Sequence, residues 1–279
     1  MHYYLNRYST PSLKGVSAMH YLFFELFCEK MRPSGRHHVL TQEVLQDPLK
    51  VGVERLVRLG CVRKWLEDGF YVTPDLLERT LTPRIGLFTL SLSCPLTGIV
   101  QPVEELAAIC KKHNVLFHVD ATCGDLSPLK DAKVDYITFQ GGLLAESPLR
   151  SVEFTSHVGH YPCIQDTLEI AYLRMQYERR LLERCCGATV LFQDMDRLAN
   201  YSVWHFPGVS SRALLYLLEK RGIYALSAKN ALTIYDRWFS ECSVSFIFPE
   251  DFSLAHIEYV VDHVASCVAV LTKCSEAIV

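Results

Sequence analysis

No lysine occurs between Lys133 and Lys220. The middle of the chain therefore offers no side-chain amine to act as a nucleophile or to form an imine. Long apolar runs are also missing: stretches such as Tyr21 to Cys28 are too short to span a bilayer. There is no basic surplus either, since 28 Lys and Arg are dispersed among 31 Asp and Glu for a formal net charge of -3, and this excludes a nucleic-acid surface. The start, Met1-His2-Tyr3-Tyr4-Leu5-Asn6-Arg7, lacks the basic, apolar and small-residue succession of a secretory leader. No repeat, low-complexity segment or Gly/Ser-rich linker breaks the chain. Eleven cysteines are present, but an odd number scattered through α/β segments suits buried reduced thiols better than a disulfide framework. A cytoplasmic location without membrane association is the expectation.

What is present is an alternation of short apolar runs with longer helical ones, the pattern of an open α/β sheet. The spacing predicts helices over Ser17 to Met31, Asp47 to Leu59, Pro74 to Leu81 and Pro102 to His113. Between them lie strands at His38 to Thr41, Gly60 to Trp65, Ile85 to Ser91, Val115 to Val119 and Val134 to Phe139. The last three are continuously apolar, as in parallel strands buried on both faces. A long helix is expected from Ile164 to Cys186. A second block follows, with strands near Ser202 to Phe206 and Val244 to Phe248 and helices over Ser210 to Lys220 and Leu254 to Lys273. These patterns imply a large α/β domain over 1–188, long helix included, and a smaller α/β domain over 189–279.

Several motifs resemble the NifS/IscS-type cysteine desulfurases of the class V aminotransferase group. They are Thr97-Gly98-Ile99-Val100-Gln101-Pro102 with Glu104-Glu105, the strand Phe117-His118-Val119-Asp120-Ala121, and Phe206-Pro207-Gly208-Val209 with its helix. Gly35 to Gln42 resembles the family's strand before its cofactor-stacking histidine. Coverage is roughly residues 35 to 273. Tyr4 to Pro11 resembles the family's first strand, so that the N-terminal region reads as shortened, with Gly15-Val16 where a phosphate-binding Gly-Thr is expected. The resemblance implies a pyridoxal-phosphate fold type I architecture, a three-layer sandwich with a smaller C-terminal α/β domain, and a dimer.

The chemistry of that family asks for particular groups. Its strand after the Asp120 motif ends in Gly-His-Lys, whose lysine holds pyridoxal phosphate as an imine; the matching residues here are Gly141-Gly142-Leu143. Leu143 cannot capture an aldehyde, so covalent attachment of the cofactor is not expected. The region after Thr41 holds no stacking histidine. Ala231 stands where the resemblance places the sulfur-accepting cysteine, and Ser243 to Phe248 contains no substrate arginine. Asp120, the family's partner of the pyridinium nitrogen, remains, with Cys123 and Gly15 as vestiges of the cofactor site; the bland alternative makes Asp120 a strand-end acid satisfying nearby donors. His118 is expected to pack beneath the site, with Leu45 or Leu143 filling the former cofactor volume.

Other patterns carry competing meanings. His157, His160 and Cys163 have a spacing that could present zinc ligands, or they are a drifted loop. Cys185-Cys186 reads as one buried and one exposed thiol. Arg179, Arg180 and Arg184 form a cationic face that Glu178 and Glu183 offset. The aromatic run from Tyr21 to Phe27 fits a core or subunit-contact helix. Three functions stay open. One is a desulfurase-like pseudoenzyme, a homodimer or a heteromer with an active desulfurase or sulfur acceptor, in sulfur or Fe–S metabolism. Another is an enzyme of altered chemistry, for instance with pyridoxamine phosphate held non-covalently over Asp120. The third is a metal-binding module.

Overall fold

A computed structural model of the chain describes residues 13–66, 70–121, 129, 132–139, 142–145, 164–229, 241–249 and 251–276. These fall into two compact units, one within Tyr8–Pro95 and Val100–Tyr161, the other within Leu96–Ile99 and Pro162–Val279.

In the N-terminal unit six strands form one sheet: β1 His38–Gln42, β2 Val62–Leu66, β3 Ile85–Ser91, β4 Leu116–Ala121, β5 Tyr136–Phe139 and β6 Gly142–Ala145. Their order is β2-β1-β3-β4-β5-β6, parallel throughout except that β6 runs antiparallel to β5. The continuous apolar runs of β3 and β4 are buried because helices cover both faces. On one face lie α1, Leu13–Leu26, and α2, Asp47–Arg58, through Met19, Leu22, Phe23, Leu49, Val53 and Leu56 against Val39 and Leu87. On the other lie α3, Pro74–Thr80, and α4, Val103–Lys112, against Leu40, Phe88, Leu90, Phe117 and Val119, with Phe88 and Phe117 stacked 5.1 Å apart.

Local chemistry sets the helix ends. Pro33 has no N–H to donate, and ahead of it α1 widens into a π turn, Phe27–Met31, closed by the Arg32 N–H on the Phe27 carbonyl. Gly35, at φ 70, then stops the helix in the left-handed conformation. Thr73 caps α3 by accepting from the Leu76 N–H at 3.2 Å.

The C-terminal unit contains α5 Ile164–Arg184, β7 Thr189–Leu191, β8 Tyr201–His205, α6 Ser211–Glu219, β9 Leu226–Ser227, β10 Ser243–Ile247 and α7 Leu254–Glu276. Its strands form an antiparallel sheet in the order β7-β8-β10-β9. The sequence pattern groups the long helix α5 with the larger block. The structure instead packs Leu173, Tyr177 and Leu181 of α5 into the C-terminal core beside Trp204, Phe246 and Phe248. The cationic face of α5 is also offset differently than expected. Glu178 is buried and bound to Arg174, Arg197 and Ser202, so it screens nothing outside. Arg180 and Arg184 pair instead with Glu258 and Asp262 of α7. Helix α7 is long and apolar enough to cross a membrane by length and composition, which a search for unbroken apolar runs misses because scattered polar residues interrupt them. In this fold one face of it, Ile257, Val260, Val261, Val264 and Cys267, is buried in the core of the unit, while Leu254 and Val270 are exposed.

Nine cysteines among the described residues are in no disulfide, and of the vicinal pair Cys185 is buried and Cys186 exposed. Burial pushes the Cys61 and Cys185 thiols up to about 11, which keeps them protonated and inert.

One position in the N-terminal sheet tolerates no side chain. The β1–β3 register slips between His38 and Val39, which leaves Gly86 bulged, and a Cβ there would lie 2.0 Å from the Arg36 carbonyl oxygen. Gly86→Ala is expected to destabilise the chain by roughly 2 kcal/mol or more, because the obstruction is backbone and cannot rotate away. Gly52→Ala meets only the Phe23 ring at 3.0 Å and should cost less. Urea unfolding of the two variants checks the order.

Candidate functional site

The C-terminal ends of β3, β4 and β5 bring a polar group into an otherwise apolar sheet. Pairing sets Ser91 beside Asp120, Asp120 beside Thr138, and Thr138 beside Leu143 on β6. One step earlier, Thr89 sits beside His118. Directly paired residues project to the same face and strand side chains alternate with period two, so Thr89, Ser91, His118, Asp120 and Thr138 share one face, the one α1 covers. Phe23 of α1 meets the His118 ring edge-on at 5.0 Å.

These side chains form a directed hydrogen-bond chain. The Thr138 hydroxyl donates to Asp120 Oδ1 at 3.2 Å. Its single proton is then committed, so it accepts from His118, whose Nε2 lies 3.1 Å away and carries the hydrogen. The remaining nitrogen, Nδ1, accepts from the Thr89 hydroxyl at 2.7 Å. Complete burial pushes the imidazole down to about 3, so it stays neutral and holds this one tautomer. At the end of β1 the Gln42 amide and the Thr41 hydroxyl are buried with no hydrogen-bond partner among the described residues. Beyond them Gln46 donates its N–H to Ser91 Oγ at 3.2 Å, and Leu45 packs, partly buried, against the core under α1.

Asp120 is thus where the sequence motif puts it, at the C-terminal end of a central strand and only 2 % exposed. His118 lies beneath it as expected, but as a link between two threonines. Sequence reasoning singled out neither Thr89 nor Thr138. The available signal was polar residues recurring every second position in strands that are otherwise apolar. Leu143 lies within β6, running back antiparallel, rather than at the end of β5, and its side chain is outside the described residues. Gly15 falls in the first turns of α1. Cys123, Ala231, His157, His160 and Cys163 lie outside the described residues. Among the described residues no group of His, Cys, Asp and Glu could hold a metal ion.

Comparison with known proteins agrees with this geometry. The family model of class-V aminotransferases matches residues 62–140, the stretch that builds β2 to β5. A mitochondrial cysteine desulfurase of Arabidopsis thaliana is 43% identical over 74 residues, 23% of this chain and 16% of that protein. Cysteine desulfurases of Sinorhizobium fredii and Gluconacetobacter diazotrophicus are 28% and 25% identical, over 57% and 55% of this chain and 51% and 48% of their own lengths. Over the stretches they cover, these matches make the chain similar, at low identity, to cysteine desulfurases. The matches span about half of these relatives' lengths or less. Among solved structures, a NifS-like protein superposes with a TM-score of 0.70 at 17% identity, covering 92% of this chain and 81% of that one. A NifS-like protein from Rickettsia africae gives 0.65 at 13% identity, covering 91% and 79%. The fold is the fold type I three-layer sandwich of pyridoxal-phosphate enzymes, as the sequence implies.

Pyridoxal phosphate, the group this fold implies, needs an amine for covalent capture. Strands β4, β5 and β6, reading LFHVDA, YITF and GLLA, contain no lysine, and Asp120 Oδ1 is already engaged by Thr138. The residues present do not fit covalent capture.

The buried imidazole makes stability depend on pH. Between its ordinary 6.5 and its folded value of about 3, the unfolded chain takes up a proton that the folded chain refuses. Its contribution, roughly 5 kcal/mol, is full above pH 6.5 and is lost as pH falls through this window. Urea unfolding at stepped pH should show wild type losing more stability between pH 6.5 and 4 than His118→Gln; equal losses would contradict the assignment.

Proposed function

We propose that this chain is a cysteine-desulfurase-like pseudoenzyme that works by binding a partner in sulfur or iron–sulfur metabolism. It does so in the cytoplasm, as a homodimer or as a heteromer with an active desulfurase or a sulfur acceptor. One observation carries the reading: the register that sets Asp120 beside Thr138 continues directly onto Leu143, in a hairpin without a lysine. The sequence adds three independent losses: the stacking histidine, the cysteine position at Ala231 and the substrate arginine. Loss of one group is compatible with repurposed chemistry. Loss of four removes cofactor capture, ring stacking, sulfur acceptance and substrate anchoring together.

The test incubates the purified full chain with pyridoxal phosphate and L-cysteine. Sulfide and alanine should not rise above the protein-free rate, and borohydride should fix no pyridoxyl group on any lysine. Turnover, or a single labelled lysine, would overturn the proposal.

A second reading is favoured by Asp120 together with the Thr41 hydroxyl and the Gln42 amide, which have no hydrogen-bond partner among the described residues and lie at the carboxyl ends of parallel strands, where open α/β sheets bind ligands. There pyridoxamine phosphate would be held without a covalent bond. Equilibrium dialysis should then show binding that Asp120→Ala abolishes; no retention at millimolar ligand removes this reading.

A further inference from the structure

The groove between α1 and α2, away from the polar chain under Asp120, is a second place where the structure spends stability without an internal return. It encloses about 460 Å³, within the range of small-molecule sites. Its floor exists because residue 52 is glycine: the Phe23 ring lies 3.0 Å from where a Cβ would stand, so the two helices close tightly at that point and part beside it. Tyr21 and Phe24 form the wall on α1. Both rings face water, 68% and 54% exposed, although their neighbours Leu22 and Phe23 are buried. Two aromatic rings left out of the core one helical turn apart forgo the burial that normally stabilises such side chains.

Charge around the groove has one sign. Arg55 and Arg58 on α2 and His20 on α1 line it, and no carboxylate does. Neither guanidinium has a hydrogen bond or ion pair among the described residues, while nearby Glu54 is taken by Arg63. Burial, helped by the nearby Arg55 guanidinium, pushes the His20 imidazole down and favours its neutral form, so the positive charge of the groove comes from Arg55 and Arg58, on a chain whose net charge is negative. Guanidiniums beside aromatic faces favour a ligand that is itself flat and anionic, because the rings take its body while the fork-shaped donors take its charge.

We infer that this groove binds a small aromatic anion, a planar ring system bearing a carboxylate, sulfonate or phosphate. The site does not rest on the pseudoenzyme reading: Phe23 of its floor touches His118, but none of the groups that would hold the anion belongs to the Asp120 chain.

The probe is 1-anilinonaphthalene-8-sulfonate, titrated into the full chain by fluorescence and by calorimetry. One saturable site is expected. Arg55→Ala combined with Arg58→Ala should weaken it about tenfold or more, and Tyr21→Ala should weaken it severalfold. N-phenyl-1-naphthylamine, with the same rings and no sulfonate, should bind about tenfold more weakly and be indifferent to the arginine changes. Tyr172→Ala, at an aromatic equally exposed on α5, serves as the control and should change nothing. All four positions are exposed, and melting curves check that each variant is folded. Absence of a saturable site, unchanged affinity in the double arginine variant, or equal binding of the uncharged probe would each overturn the inference. So would an acidic amphipathic peptide that binds this face where the small anion does not.

Discussion

Burial of the parallel sheet on both faces is the constraint from which the rest of the N-terminal unit follows. Helices on each side leave no water to satisfy a polar side chain on β3, β4 or β5, so each one must find its partner within the protein. Thr89, His118, Thr138 and Asp120 answer this by linking into a chain with a single direction, set at one end by a carboxylate that accepts from a hydroxyl. The neutral imidazole is the hinge of that arrangement. Charged, it would have two donors and could no longer accept from Thr89.

The C-terminal unit solves a similar problem with charge. Glu178, placed in the core by the turn of α5 that also buries Tyr177, receives Ser202 at 2.8 Å, and Ser202 in turn receives the Trp204 indole at 2.8 Å. Arg197 completes the set at 3.2 Å with its side chain almost wholly buried. Such a network gains little net free energy over an apolar core, but removal of any one member strands the others. Outside, Arg180 and Arg184 lie along Glu258 and Asp262 as exposed pairs, which align two helices more than they stabilise them.

These two polar systems bear differently on function. The one in the C-terminal unit is closed on itself. The one in the N-terminal unit reaches Asp120, at the C-terminal end of a central strand, next to a hairpin that carries Gly142 and Leu143. The hydrogen-bond chain that leads to Asp120 is thus also part of the packing of this unit. The exposed aromatics of α1 show the reverse, surface that packing does not explain.

Much of this was legible in the sequence because it is local. Period-two and continuous apolar runs marked β1 to β5, β8 and β10. Proline and glycine positions marked the helix ends, and the HVDA strand placed Asp120. The strands β6, β7 and β9 were not legible, for with two to four residues each they carry too little pattern to register. Nor could the sequence assign α5 to its unit, because a helix with apolar residues on several sides does not say which of them is buried. By itself the sequence determined the absence of a lysine from 134 to 219 and the alternation that makes an α/β sheet. Only the tertiary structure decided that Thr89, His118, Thr138 and Asp120 are neighbours and that Tyr21 and Phe24 border a cationic groove. Contacts between residues far apart in the chain depend on strand order and helix packing, which local propensity does not encode.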